Sequence, residues 1–136
     1  IGMFVFGFGK YSRLMTSDYD KGDDKRVIEL AEWIDANLPH DARIATGELG
    51  MVGYFGNRYM IDLLGIATPE LLSKDKAPIL KKYRPTHFIL YGEEIRDFLG
   101  FHLRQIQSVS YRRIGGVYAF AKGEDTCRLY EVAGEQ

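Results

Sequence analysis

After residue 22, hydrophobic residues recur among polar ones at the spacing of an α-helix. Val27, Leu30, Ala31, Ile34 and Leu38 recur at intervals of three, four and seven, which places them on one helical face. The pattern predicts a helix that begins at the acidic residues 23–24 and ends before Pro39. Trp33 lies beside this apolar stripe, and we assign it to the core.

Short apolar runs then alternate with segments that suit helices. The predicted strands are residues 43–46, 59–64 and 86–91, and the second is expected to be covered on both faces. The predicted helical segments are residues 47–55, a start at Thr68-Pro69-Glu70, residues 77–83 and residues 93–99. Strands separated by helical segments favour parallel strands joined by crossover helices.

The last part of the chain has a different pattern. Residues 113–121 and 127–132 flank the turn-forming sequence KGEDT, which predicts an antiparallel hairpin. The expected fold is therefore α/β, with three layers, a mixed and mostly parallel sheet, crossover helices and a C-terminal antiparallel hairpin. We expect residues 23–136 to form one domain of this kind.

Residues 1–22 precede that domain. The run IGMFVFGFG at residues 1–9 fits a strand with Phe4, Phe6 and Phe8 on one face, or the end of a transmembrane helix followed by interfacial residues. Nine apolar residues alone are too few to cross a bilayer. The residue pattern leaves both interpretations open.

Composition narrows the function classes. The chain has 46% hydrophobic and 27% charged residues, as in ordinary globular domains, and a net charge of -1 gives no general attraction for nucleic acid. One cysteine, Cys127, excludes an internal disulfide, and His40, His87 and His102 lack metal-ligand spacing. We predict no metal, no cofactor and no nucleic-acid partner.

The sequence GELGMVGYFG contains glycines three residues apart. This spacing differs from the dinucleotide-binding fingerprint, and no phosphate-loop ending follows. Gly50 and Gly53 share a helix face, which favours close packing of that helix on the sheet over anion binding at its N-terminus. Glu48 at the same turn would repel a phosphate.

Asp62 interrupts an apolar strand, where an unpaired charge is costly. The simpler interpretation is that its carboxylate accepts hydrogen bonds from the following turn or pairs with an arginine such as Arg58. The alternative is a ligand site, because Glu48, Asp62 and Tyr91 all lie near the carboxyl ends of predicted parallel strands. Such a site would suit a cation or sugar hydroxyl groups.

Residues 31–71, followed by YRPTHFILYG, resemble the C-terminal extracytoplasmic domain of polytopic membrane glycosyltransferases that use polyprenyl-phosphate sugars, and their uncharacterised relatives. The similarity covers about residues 11–120. Glu48, Ile66 and Thr68 depart from the family pattern conservatively. The matching positions are Trp33, Ile34, Leu38, Pro39, Gly50, Gly53, Tyr54, Phe55, Asp62, Leu63, Gly65, Pro69 and Glu70.

The resemblance implies a location more than a reaction. In that family the catalytic acids precede this domain, so no catalytic residue is assigned within the chain. The resemblance implies a non-catalytic, membrane-anchored domain on the extracytoplasmic face, and it favours the membrane-helix interpretation of residues 1–9. The implied partners are the membrane-embedded part of the parent chain and a lipid-linked sugar or glycan acceptor. The alternative is a free-standing ligand-binding or sensor domain.

Overall fold

A computed structural model describes residues 23–47, 49–113 and 123–135 of the chain. The predictions for residues 1–22, for Glu48 and for residues 114–122 therefore lie outside the described residues. Within the described part, the protein combines helices with one six-stranded mixed sheet, so the prediction of an α/β fold is confirmed.

The first half of the described chain alternates helices and strands. Its helices are α1 (Asp23–Asn37), α2 (Gly50–Gly56) and α3 (Ala77–Tyr83), with a 3₁₀ helix at Pro69–Leu72. Its strands are β1 (Arg43–Thr46), β2 (Tyr59–Asp62) and β3 (His87–Tyr91). These elements match the periodic segments of the sequence, although β2 stops two residues earlier than predicted.

The second half is an antiparallel unit. It consists of β4 (Asp97–Phe98) and two strands of thirteen residues, β5 (Phe101–Arg113) and β6 (Gly123–Glu135). The strand order is β2-β1-β3-β6-β5-β4. Two of the five pairings are parallel and three are antiparallel, so the prediction of a mostly parallel sheet is wrong.

The long hairpin explains this difference. β5 (Phe101–Arg113) pairs with β6 over almost its whole length, a pairing that the sequence did not predict, whereas the predicted strand at residues 113–121 lies, after Arg113, outside the described residues. Residues 123–126, which belong to the predicted turn, are already part of β6. β5 therefore supplies a long paired strand before residue 113, where no strand was predicted, and β6 is longer than the predicted strand at residues 127–132.

The predicted helix at residues 93–99 is also wrong. The backbone of this segment is bonded to the long hairpin: Gly92 N donates to Thr126 O (3.0 Å), Ile95 N to the Tyr130 hydroxyl (3.1 Å), and Leu103 N to Arg96 O (2.7 Å). These bonds replace the intrahelical bonds of a short segment that would be marginal as a helix.

Buried side chains form two clusters on opposite faces of the sheet. The first cluster lies against α1 and α2 and contains Val27, Leu30, Ile34, Ile44, Val52, Ile89, Cys127 and Leu129. The second cluster contains Ala45, Ile61, Leu71, Leu80, Phe88, Phe101, Leu103 and Tyr130. The helical elements that contribute to the second cluster are only four and seven residues long, so the predicted three-layer arrangement is not supported.

Candidate functional site

Of the predicted ligand residues, Asp62 and Tyr91 lie at the carboxyl ends of β2 and β3, and Glu48 lies outside the described residues. Thr46 is the register partner of both Asp62 and Ile89, and Tyr91 follows two residues after Ile89. Asp62 and Tyr91 are therefore on strands separated by β1, about 10 Å apart across the sheet, and Tyr91 lies about 7 Å further along its strand. Tyr91 is half-buried and packs against the first cluster.

Asp62 is buried, with 1% of its surface exposed, and its carboxylate is bonded to the loop that follows β2. Oδ1 accepts from Leu64 N at 2.9 Å, and Oδ2 accepts from Ala67 N at 2.7 Å. The Asp62 carbonyl also accepts from Gly65 N at 3.1 Å. The predicted bond to the following turn is confirmed by these contacts.

Electrostatics favour the ionised form of this carboxyl group. Burial alone raises the pKa of Asp62, but hydrogen bonds from the backbone of Ala67, Leu64, Ile66 and Gly65 together outweigh it and hold the pKa below its ordinary value. The loop thus solvates a buried negative charge with backbone N–H groups.

Thr68 and Lys76 complete the same loop. Thr68 occupies the N-cap position of the 3₁₀ helix, in agreement with the predicted start at Thr68-Pro69-Glu70, but its hydroxyl makes no capping bond and instead accepts from Asp62 N at 3.1 Å. Lys76 Nζ donates to Leu63 O at 2.8 Å. Thr68 therefore binds a backbone group on the outer edge of β2 that the sheet leaves available.

The predicted glycine positions have different roles in the structure. Gly50 is exposed, and a Cβ at Gly53 would meet Met60 Cγ at an ordinary contact distance of 3.6 Å, so neither requires close approach to the sheet. A Cβ at Gly56 would lie nearer to a neighbour, 3.4 Å from Ile34 Cγ2 of α1. Gly65 is the most constrained, since it has φ +81° and a Cβ there would lie 2.7 Å from Leu72 Cγ.

Arg58 is a buried residue whose role the sequence did not reveal. The sequence offers it as a partner of Asp62, but its side chain, 1% exposed, binds the end of α1 instead. Nη2 donates to Asp35 O (2.8 Å) and Leu38 O (2.7 Å), and Nε donates to Pro39 O (2.8 Å). Nη1 donates to the Asp35 carboxylate at 2.8 Å and to Asn57 O at 2.9 Å. Arg58 thereby caps the C-terminus of α1 and joins it to the start of β2.

His87 is another buried polar residue, and it lies on β3. Its Nδ1 lies 2.8 Å from the Thr86 hydroxyl, and Glu131 is its register partner on β6. Burial lowers the pKa of His87, and the negative charge of Glu131 opposes part of this effect. We assign His87 a structural role as a neutral side chain of the core.

Large exposed hydrophobic side chains are gathered in one stretch of the described chain. In the part of the chain that the structure describes, the exposed large hydrophobic side chains all fall within residues 54–72, which surround the edge strand β2. At the amino end of β2 are Tyr54 (82% exposed), Phe55 (39%) and Tyr59 (54%), and at the carboxyl end are Leu64 (56%), Ile66 (83%) and Leu72 (69%). Trp33, the other aromatic residue of the predicted motif, is partly buried against the first cluster.

Comparison with known proteins adds a family assignment. A family model described as Domain of unknown function (DUF8728) matches residues 16–132. No curated protein and no solved structure matches the chain. Among the described residues, none of the helices has the length and apolar character needed to span a bilayer, and no group of three or more potential ligands is placed to bind a metal ion.

Proposed function

The chain belongs to this DUF8728 family, since the match covers most of its length, and we propose that it is a non-catalytic docking domain of a multi-span membrane protein. In this proposal the domain lies on the extracytoplasmic face and packs on the membrane-embedded part of its parent. The parent transfers sugars from a polyprenyl-phosphate donor, and the domain helps to bind the donor or the glycan acceptor.

The exposed side chains around β2 carry the proposal. Residues 54–72 place six large hydrophobic side chains on the surface of one sheet edge, while the rest of the described surface is ordinary in this respect. Exposed apolar surface concentrated in one region is characteristic of surfaces that bind another protein or a membrane. A domain that docks on a larger assembly requires such a region.

The polar residues support a framework role rather than a free-standing ligand-binding domain. Asp62 uses both carboxylate oxygens within its own loop, and Arg58 uses its guanidinium to hold α1 against β2. A ligand at Glu48, Asp62 and Tyr91 would have to compete with the internal bonds of Asp62. The sugar-transfer part of the proposal is supported by the sequence resemblance at residues 31–71.

Fractionation of cells that express the native gene tests the location. The domain is expected in the membrane fraction, and protease added to intact spheroplasts should digest it, because it faces outward. Recovery of the domain in the soluble fraction, or its protection from protease until the cells are lysed, would contradict the proposal. Transfer of labelled sugar from a polyprenyl-phosphate donor, compared between membranes with and without the gene, tests the reaction of the parent.

A further inference from the structure

Over most of its length, β5 forms the edge of the sheet opposite to β2. Its outer neighbour β4 pairs only with Phe101 and His102, and no other described strand lies beyond it. From Gln107 to Arg113 the pairing of β5 with β6 is regular, and the segment contains no proline. Bulges and prolines are common devices that block an edge strand, so this segment of the described chain is open to pairing.

The bonds between β3 and β6 show which way the backbone groups of β6 point. At one end of the pair, Gly92 N donates to Thr126 O at 3.0 Å. At the other end, Val132 N donates to Thr86 O at 2.9 Å. The even-numbered residues of β6 therefore direct their N–H and C=O groups toward β3, and the odd-numbered residues direct theirs toward β5.

The backbone groups of β5 follow from this pattern. Val109 is the register partner of Cys127, so the odd-numbered residues of this segment bond to β6. Positions 108, 110 and 112 then direct N–H and C=O groups away from the sheet. Ser108 N agrees with this direction, because it donates to the Gln107 side chain at 2.9 Å rather than to β6.

The far end of the hairpin extends beyond the rest of the sheet. The register of β3 with β6 ends at Tyr91 and Cys127, so residues 111–113 and 123–125 form a ribbon of two strands. A two-stranded ribbon is marginally stable in water, and a third strand is needed to support it. α1 contacts β5, and Ile106 and Val109 pack on the first cluster, so α1 lies over a face of this strand. In the described part of the chain, the outer backbone edge of the ribbon has no such cover.

A second copy of the same segment fits this edge. In an antiparallel pair with its two-fold axis at Ser110, Ser110 is opposite Ser110 of the second copy, and Ser108 is opposite Arg112. Each outward N–H and C=O group then has a partner, and Ser108 N exchanges its bond to Gln107 for one to the second copy. The arginines at 112 and 113 are opposite uncharged residues, whereas an in-register parallel pair would place like charges together. A two-fold contact of this kind uses both edges and stops at two copies.

We propose that residues 107–113 of β5 pair antiparallel with the same residues of a second copy of the chain, about a two-fold axis at Ser110. The two six-stranded sheets then form one continuous sheet. The contact lies at the edge opposite to β2, so the hydrophobic side chains within residues 54–72 remain available for docking on the parent protein. The dimer does not depend on membrane attachment of the domain.

Sedimentation of the 136-residue chain over a wide range of concentrations tests the dimer. The unmodified chain is expected to form dimers reversibly. Ser110→Pro removes an N–H group that makes no bond to β6, and proline is tolerated at such an edge position, so this variant should fold and remain monomeric. Ser110→Ala keeps the N–H group and should form dimers like the unmodified chain. Circular dichroism verifies that both variants are folded.

Disulfide cross-linking tests the position of the axis. Opposite residues of a hydrogen-bonded antiparallel pair have Cα atoms about 5.5 Å apart, which suits a disulfide. Under mild oxidation, Ser110→Cys is therefore expected to give a covalent dimer. Ser73→Cys is the matched control, because it makes the same change at another exposed serine, and it should stay monomeric on a non-reducing gel. Cys127 is buried, so the unmodified chain measures background cross-linking.

Three results would overturn this inference. The first is a chain that remains monomeric at every concentration. The second is a dimer that persists in folded Ser110→Pro, and the third is equal cross-linking through positions 73 and 110, because either result would show that the copies associate through another surface. If Ser110→Pro does not fold, the comparison of the two cysteine variants decides. None of these results bears on the proposed membrane location, which the fractionation experiment tests separately.

Discussion

Replacing Asp62 by asparagine tests whether this residue holds the loop after β2 or is reserved for a ligand. The side chain keeps its shape but loses its charge and one acceptor. One oxygen can still accept from Leu64 N or Ala67 N, whereas the amide NH₂ must face the other donor. The variant therefore removes one hydrogen bond and places two donors against each other in a buried position.

The expected cost follows from these two bonds. A hydrogen bond to a charged group contributes about 1.5–3 kcal/mol, and a neutral one contributes about 1 kcal/mol. Loss of one charged bond and weakening of the other sum to about 2–4 kcal/mol for Asp62→Asn. Because a domain of this kind is stable by about 5–15 kcal/mol, the variant should still fold and should be measurable.

Urea unfolding followed by circular dichroism measures this difference. Asp75→Asn serves as the control, because it removes the same charge from an exposed side chain nearby, and surface changes of this type stay within about 0.5 kcal/mol. The pH dependence provides a second measurement. Since the folded pKa of Asp62 is lowered, its contribution is complete above the unfolded value of about 3.9 and disappears as the pH falls through the folded pKa.

Two results would refute this reasoning. If Asp62→Asn is as stable as the unmodified protein, the carboxylate does not organise the loop. If the substitution increases stability, the charge is maintained at a cost, as expected for a ligand site that includes Asp62, and the ligand-binding alternative becomes the better interpretation.

Arg58→Lys should lower the free energy of unfolding by about 3–5 kcal/mol, because a lysine cannot reproduce the forked bonds to the end of α1. Asp35→Asn, which changes only the 45%-exposed partner of that arginine, should cost under about 1 kcal/mol, and equal losses for the two variants would show that the ion pair rather than the helix capping matters. Because burial lowers the folded pKa of His87, the protein should have full stability above about pH 6.5 and lose part of it as the pH falls toward that folded pKa. Thermal unfolding of His87→Gln should show a weaker decline over this range, and an unchanged decline would assign it to other groups. Gly65→Ala should cost about 1–3 kcal/mol from its positive φ and the lack of space. Gly53→Ala should be neutral or stabilising by up to about 1 kcal/mol, and destabilisation there would restore the tight helix packing predicted from sequence.

Sequence predicted the parts of the structure that depend on neighbouring residues. The stripe Val27, Leu30 and Ile34 is buried as its spacing indicated, because helical periodicity alone decides which face is apolar. The Asp62 carboxylate was also predictable, since its acceptor bonds go to residues only two and five positions later. A charged residue in an apolar strand followed by a glycine-containing turn is a local signal.

The errors arose where distant contacts determine the structure. Residues 93–99 follow a helical pattern, but Ile95 bonds to Tyr130, which is 35 positions later. Arg58 binds acceptors about 20 positions earlier, and nothing in its immediate sequence indicates them. The position of β2 at the edge of the sheet was missed for a similar reason. An apolar strand at an edge has the same residue pattern as a strand in the interior.

The position of β6 has a consequence for synthesis of the protein on the ribosome. β6 is the last described strand, yet it lies between β3 and β5 in the interior of the sheet. Until it has emerged, β3 lacks a neighbour on one side, and the first cluster lacks Cys127 and Leu129. The nascent chain must therefore carry an open strand edge and an incomplete core until almost the whole domain has been translated. During that interval we expect it to depend on chaperones, and messages truncated before β6 should yield aggregates rather than a smaller folded product.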